Sequence, residues 1–185
     1  MSGSPQGTST EVSEDLKWEP LVLTPAKVED LWRQLQSFPI VFDDFSKGNF
    51  NDFLAKLCAR QNIFVDIGPG KGLAAGFAVR PGLDAVIHLV MFDGRLRGRE
   101  SFFRDILAYY FNILKLRRMT IMLAEDARTG IKLAERMGFK LEGVMRKSIK
   151  RDGKLFDTRI YGILHEEFFE KSNVEVVRGD AKATP

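Results

Sequence analysis

Hydrophobic and polar positions change period several times along the chain, and each change predicts an element. Leu21 to Leu23 reads as a short strand, and Thr24-Pro25 then gives a hydroxyl cap followed by proline at a first helical position. Val28, Leu31, Trp32 and Leu35 form the apolar stripe of that helix, and Pro39 ends it. Phe50, Phe53, Leu54, Leu57 and Cys58 share one face of a second helix running to about Arg60. Asn62 to Ile67 and Leu73 to Val79 read as strands, joined through Gly68-Pro69-Gly70-Lys71-Gly72 into a hairpin. Pro81-Gly82 turns the chain again into Ala85 to Phe92, an apolar run that suggests a strand buried on both faces.

The second half follows the same logic. Asp93 to Gly98 is a loop feeding a helix from about Arg99 to Leu114. Arg118 to Leu123 is a strand. Arg128 to Met137 is a helix stopped by Gly138 as a left-handed cap. Phe139 to Ile149 and Lys154 to Leu164 are strands joined at Arg151-Asp152-Gly153, a tight hairpin signal. The order β-α-α-β-β-β-α-β-α-β-β predicts one α/β (α+β) domain over residues 20–170. Residues 1–19 and 171–185, small and polar in composition, read as flexible tails.

Composition narrows the class. A chain of 185 residues with 44% hydrophobic content can build one core. No apolar run reaches bilayer length, and the N-terminus lacks the apolar stretch of a secretion signal, so the expected setting is cytoplasmic, with no membrane partner. The lone cysteine, Cys58, excludes an internal disulfide and is expected as a buried thiol. The net charge of +3 is uneven. Arg95, Arg97, Arg99 and Arg104 crowd one stretch; Arg146, Lys147, Lys150, Arg151, Lys154 and Arg159 crowd another, where a solvated basic face and an anion-binding patch are both open readings. Few aromatics accompany the basic hairpin and no nucleic-acid motif is present, which argues against a nucleic-acid partner.

Gly68 to Gly72 does not carry the GxxxxGK[ST] spacing of a phosphate loop and is read as a turn. The stretch from Ala85 to Leu114 is more telling, because Arg97-Gly98-Arg99 falls where a strand hands over to a helix. The first amides of a helix are unpaired and carry partial positive charge. Glycine lets a pyrophosphate approach, and arginines add forked donors. On these residues alone an arginine-rich helix cap explains the pattern equally well.

Arg95-Leu96-Arg97-Gly98-Arg99-Glu100 resembles the Q/R-x-x-G-x-G/A loop of the GCN5-related N-acetyltransferases, the GNAT superfamily. Glu135 to Arg146 is similar to the "EKLGFKLEGVLR" run of its RimJ/RimL branch. Asp152-Gly153-Lys154, Asp157 and Tyr161-Gly162-Ile163-Leu164 fit that branch's last strands. The resemblance spans about residues 20–170. It implies the GNAT fold, a mixed central sheet of six to seven strands flanked by about four helices. It implies acetyl-CoA as co-substrate, no metal, and transfer of an acetyl group to an amine of a protein or small molecule. By the same resemblance Arg97, Gly98, Arg99 and Ser101 would hold the pyrophosphate, and the backbone of Phe92 would meet the pantetheine arm.

The chain departs from the family pattern at three places. Glu100 stands where the family has Gly or Ala, Ala127 where many members have Asn, and Ala134 where many have a Tyr that protonates the leaving thiolate. These departures motivate an alternative: a GNAT-fold subunit with a degraded site, serving in an assembly whose protein partner orders the tails. His88, in the central strand, is the candidate catalytic base by its reference pKa, against the reading of a hydrogen-bonded core histidine.

Overall fold

The computed structural model describes residues 17–38, 41–68, 71–93 and 99–170. Its elements in chain order are β1 (Glu19–Pro20), α1 (Pro25–Gln36), α2 (Phe50–Cys58), β2 (Ile63–Asp66), β3 (Gly72–Arg80), β4 (Asp84–Met91), α3 (Glu100–Leu114), β5 (Arg118–Ala124), α4 (Arg128–Met137), β6 (Lys140–Arg151) and β7 (Lys154–Leu164). A last helix, α5, covers residues 165–170. Local chemistry accounts for several boundaries. The Thr24 hydroxyl accepts from the Lys27 amide at 3.2 Å, with Pro25 in the first turn. Gly138 closes α4 at φ 99°, a conformation that glycine adopts without steric cost. Asp152 and Gly153, at φ 48° and 76°, form the two-residue turn between β6 and β7.

One seven-stranded sheet runs in the order β1-β2-β3-β4-β5-β7-β6. All neighbouring pairs are antiparallel except β4 and β5. Against one face lies α3, burying Phe103, Ile106, Leu107, Tyr110 and Phe111 over Val65, Ala74, Ile87 and Met119. The Tyr110 hydroxyl donates to the Ile63 carbonyl at 3.1 Å and lies 3.4 Å from that of Ala74, so this ring is pinned as well as packed. β3 and β4 approach so closely that a Cβ on Gly72 would stand 2.4 Å from the Val90 carbonyl.

Three expectations need correction. The first strand is Glu19–Pro20, not Leu21 to Leu23. The Leu21 amide still donates to the Phe64 carbonyl at 3.0 Å, but the chain then peels away to reach the α1 cap, leaving Val22 and Leu23 exposed. Cys58 is exposed rather than a core thiol, because α2 turns Phe53 and Leu57 inward and ends at Cys58 with that side chain outward. β4 is not buried on both faces: Ala85, Ile87 and Met91 enter the core under α3, whereas His88 is exposed and Val86 and Val90 are half-buried. Trp18, ahead of β1, packs on Tyr109 with ring centroids 4.7 Å apart.

Candidate active site

The opening in the sheet follows from its one parallel pair. β4 and β5 pair only at Asp84–Arg118, Ala85–Met119 and Val86–Thr120. Beyond Val86 and Thr120 the strands part, and the peptide groups on their facing edges have no strand to bond. A cleft of about 910 Å³ fills the divergence. Its floor is the outer face of β3 and β4, with Leu73, Ala75, Phe77, His88 and Val90. Phe38 and Phe42 from the α1–α2 connection, with Phe53 and Leu57 from α2, form one wall. The opposite wall, from β5 and α4, is built of small and flexible side chains: Met122, Ala124, Ala127, Gly130, Ala134 and Met137. Ala134, in this wall, is itself buried.

A roof comes from the β6–β7 turn. The Asp44 carboxylate accepts from the amides of Asp152 (2.8 Å) and Gly153 (3.1 Å), and the Asp44 amide donates to the Lys150 carbonyl at 2.8 Å. Lys47 adds an ion pair to Asp152 at 3.3 Å. The hairpin tip is thereby fastened to the α1–α2 connection. Within the same hairpin Arg151 turns inward, pairs with Asp126 at 2.6 Å, stacks on Phe156, and keeps a buried Nε without a hydrogen bond. One residue of the basic hairpin is therefore a cleft residue rather than part of a solvated face.

His88 sits on the cleft floor opposite Ala75, edge-on to Phe77 at 5.1 Å. It is not the hydrogen-bonded core histidine considered from the sequence: its ring opens on the cleft and no hydrogen bond holds it among the described residues. Phe77 and the other residues lining the cleft stand close around it, although its own surface is exposed. Desolvation by these walls, with the nearby Lys56 charge adding to it, pushes its pKa down to about 4. At physiological pH the imidazole is therefore neutral. Neutrality is what a base needs, but the same shift weakens its basicity.

The residues expected to hold the co-substrate are distributed as follows. Arg97 and Gly98 lie outside the described residues. Arg99 caps α3 without a side-chain cap bond, and its guanidinium forks onto Asp93 at 2.9 and 2.8 Å, with a side chain only 12% exposed. Ser101 is exposed in the first turn of α3, where amides lack intrahelical partners. Phe92 follows β4, 5.8 Å from the Phe38 ring, and its amide is committed to the Lys71 carbonyl at 2.8 Å. Glu100 reaches Arg136 on α4 at 2.7 Å, so its charge is shared rather than left facing the helix N-terminus. Tyr161 is buried, its hydroxyl donating to Glu135 at 3.1 Å.

Sequence reasoning missed Asp52 and Lys56 at the cleft. Their i, i+4 spacing on α2 was a visible signal for their 2.7 Å ion pair, though not for where the pair would stand. The partnership of Arg151 and Asp126, twenty-five residues apart, left no local trace.

No protein-family model and no characterised protein sequence matches the chain. Its structure is similar to that of spermidine N-acetyltransferase from Vibrio cholerae in complex with CoA and spermine. The TM-score is 0.68 at 16% identity, over 82% of this chain and 98% of that one. A dodecameric form of the Vibrio cholerae enzyme in an intermediate state gives a TM-score of 0.68 at 15% identity, over 85% and 98%. The fold is the GNAT fold, a mixed α/β architecture around a seven-stranded sheet. Among the described residues no helix is long and apolar enough to cross a membrane.

Proposed function

We propose that the chain is an acyl-CoA-dependent N-acetyltransferase, nearest the RimJ/RimL branch by its sequence motifs, moving an acetyl group from acetyl-CoA to an amine. The observation that carries this reading is the divergence of β4 and β5 beyond Val86 and Thr120, which leaves strand edges unpaired along a cleft of about 910 Å³. An extended, amide-bearing arm such as pantetheine can bond those edges as a strand would. The free amides at the start of α3, with Arg97, Gly98 and Ser101, suit its pyrophosphate. A structural neighbour crystallised with CoA supports acetyl-CoA as the co-substrate.

In the reaction the amine nitrogen attacks the thioester carbonyl, the N–C bond forms, the C–S bond breaks, and CoA leaves as thiolate. The nitrogen sheds one proton. His88, neutral and open to the cleft, can accept it directly or through water, and the cleft also favours an uncharged amine by desolvation. With Ala134 in place of a tyrosine, the departing thiolate would take its proton from water. A reducing, cytoplasmic setting suits both acetyl-CoA and the exposed Cys58.

A second reading, a scaffold subunit with a lost site, draws on two commitments already made: Arg99 to Asp93, and the Phe92 amide to Lys71. Titration calorimetry with acetyl-CoA separates the two. Micromolar binding by the native chain supports the enzyme. No binding by the native chain, with binding gained by Glu100→Gly, supports the scaffold.

A further inference from the structure

We propose that the acceptor is an amine carried on an aromatic or similarly flat apolar body, and that the cleft selects against polyamines. The inference deepens the acetyltransferase reading and rests on it. The cleft is lined by Phe38, Phe42, Phe53, Phe64 and Phe77 with His88 among them, and each phenylalanine is half-buried. These rings are held from behind: Trp32 stands 5.8 Å from Phe42 and 5.2 Å from Phe53, and Phe64 meets Phe77 edge-on at 5.7 Å. Preset rings of this kind receive another ring at little ordering cost.

The charges point the same way. Among the described residues the cleft is lined by two carboxylates, and each is taken: Asp52 by Lys56 at 2.7 Å, Asp126 by Arg151 at 2.6 Å. Arg128 adds a third cation to the lining. A polyamine would bring several ammonium groups to a surface that already disfavours positive charge and would have to break an ion pair to find a partner. A monoamine on an apolar body need only lose one proton to enter, and the desolvation that neutralises His88 assists it.

The test compares phenethylamine with spermidine as acceptors, following CoA thiol release from acetyl-CoA, beside calorimetry of acetyl-CoA and Trp32-reported binding of each amine to the native protein. The expected result is a kcat/KM for phenethylamine about 100-fold above that for spermidine, with Phe53→Ala lowering the phenethylamine value about 10-fold or more through KM. If acetyl-CoA binds and spermidine is used as well or better, the acceptor inference is overturned while the acetyltransferase reading stands. If acetyl-CoA does not bind, or neither amine is acetylated, direct binding decides the inference. Phenethylamine binding about 10-fold or more tighter than spermidine, the scale of one pocket's apolar contact, sustains the aromatic site, and equal binding, tighter spermidine or no binding of either overturns it.

Discussion

Arg136, in the last turn of α4, reaches across to Glu100 at the first position of α3 with its guanidinium 2.7 Å from the carboxylate. The pair answers the main objection the sequence raises against a pyrophosphate site. A carboxylate beside bound phosphates repels them, but one held by an arginine contributes little net field, and the pair also ties α4 to α3.

Removing either partner should therefore move acetyl-CoA affinity in opposite directions. Arg136→Met leaves Glu100 bare and is expected to weaken acetyl-CoA by about fivefold, the scale of about 1 kcal/mol for a partly exposed pair. Glu100→Gln should tighten it by a similar factor. Both changes shrink in high salt, because the groups are partly exposed. Calorimetry at two ionic strengths checks this, and an unchanged affinity in both variants would place the pyrophosphate away from α3.

The pKa of His88 gives a stability prediction. Its folded value of about 4 lies below the reference 6.5, so the unfolded chain binds more protons between those values. Stability is lost as pH falls through 6.5 and the loss is complete below about 4. In thermal melts the native protein should fall increasingly behind His88→Ala over that window, relative to their difference at pH 7.5. In kinetics, an acidic limb of kcat/KM that is unchanged in His88→Ala would show that the amine's own deprotonation sets it and that His88 is not the base; loss of a limb near pH 4 in that variant would support His88.

Much of the frame was legible because it depends on local patterns: α4 has the predicted bounds, Arg128 to Met137, and the Asp-Gly turn between β6 and β7 forms at the residues that chemistry required. The misses share a physical cause. Whether an apolar strand such as β4 is buried on both faces depends on how far its neighbour stays paired, and nothing within Ala85 to Phe92 records that β5 departs after Thr120. Cys58 fits an apolar helical stripe, yet α2 ends there, and its exposure is set by where the helix stops. At the site, Arg97-Gly98-Arg99 was found by motif, but the aromatic wall comes from Phe38, Phe42, Phe53, Phe64 and Phe77 on separate elements that only the fold assembles.

Gly72 tests the close approach that sets the cleft floor. Its Cβ would stand 2.4 Å from the Val90 carbonyl, a backbone atom that cannot swing aside. Gly72→Ala must therefore displace β3 from β4 near Leu73 and Val90, both of which line the cleft. A loss of about 3 kcal/mol or more is expected in denaturant unfolding.

Asp44 tests the roof. Its carboxylate takes the two amides of the Asp152–Gly153 turn, the only side chain among the described hydrogen bonds to do so, and it sits on the α1–α2 connection that carries Phe42 to the cleft. Asp44→Ala removes both bonds but leaves the turn, whose left-handed residues are intrinsic to Asp152 and Gly153. The hairpin should then persist while its attachment loosens. Melting should drop by only about 2–4 °C, since the lost bonds lie at the surface. Acceptor KM should rise more than the affinity for acetyl-CoA falls, because the loosened α1–α2 connection carries Phe42, one of the rings proposed to receive the acceptor. Equal losses on both substrates would mean that the hairpin shapes the whole cleft, and no loss on either would mean that the roof does not bear on catalysis.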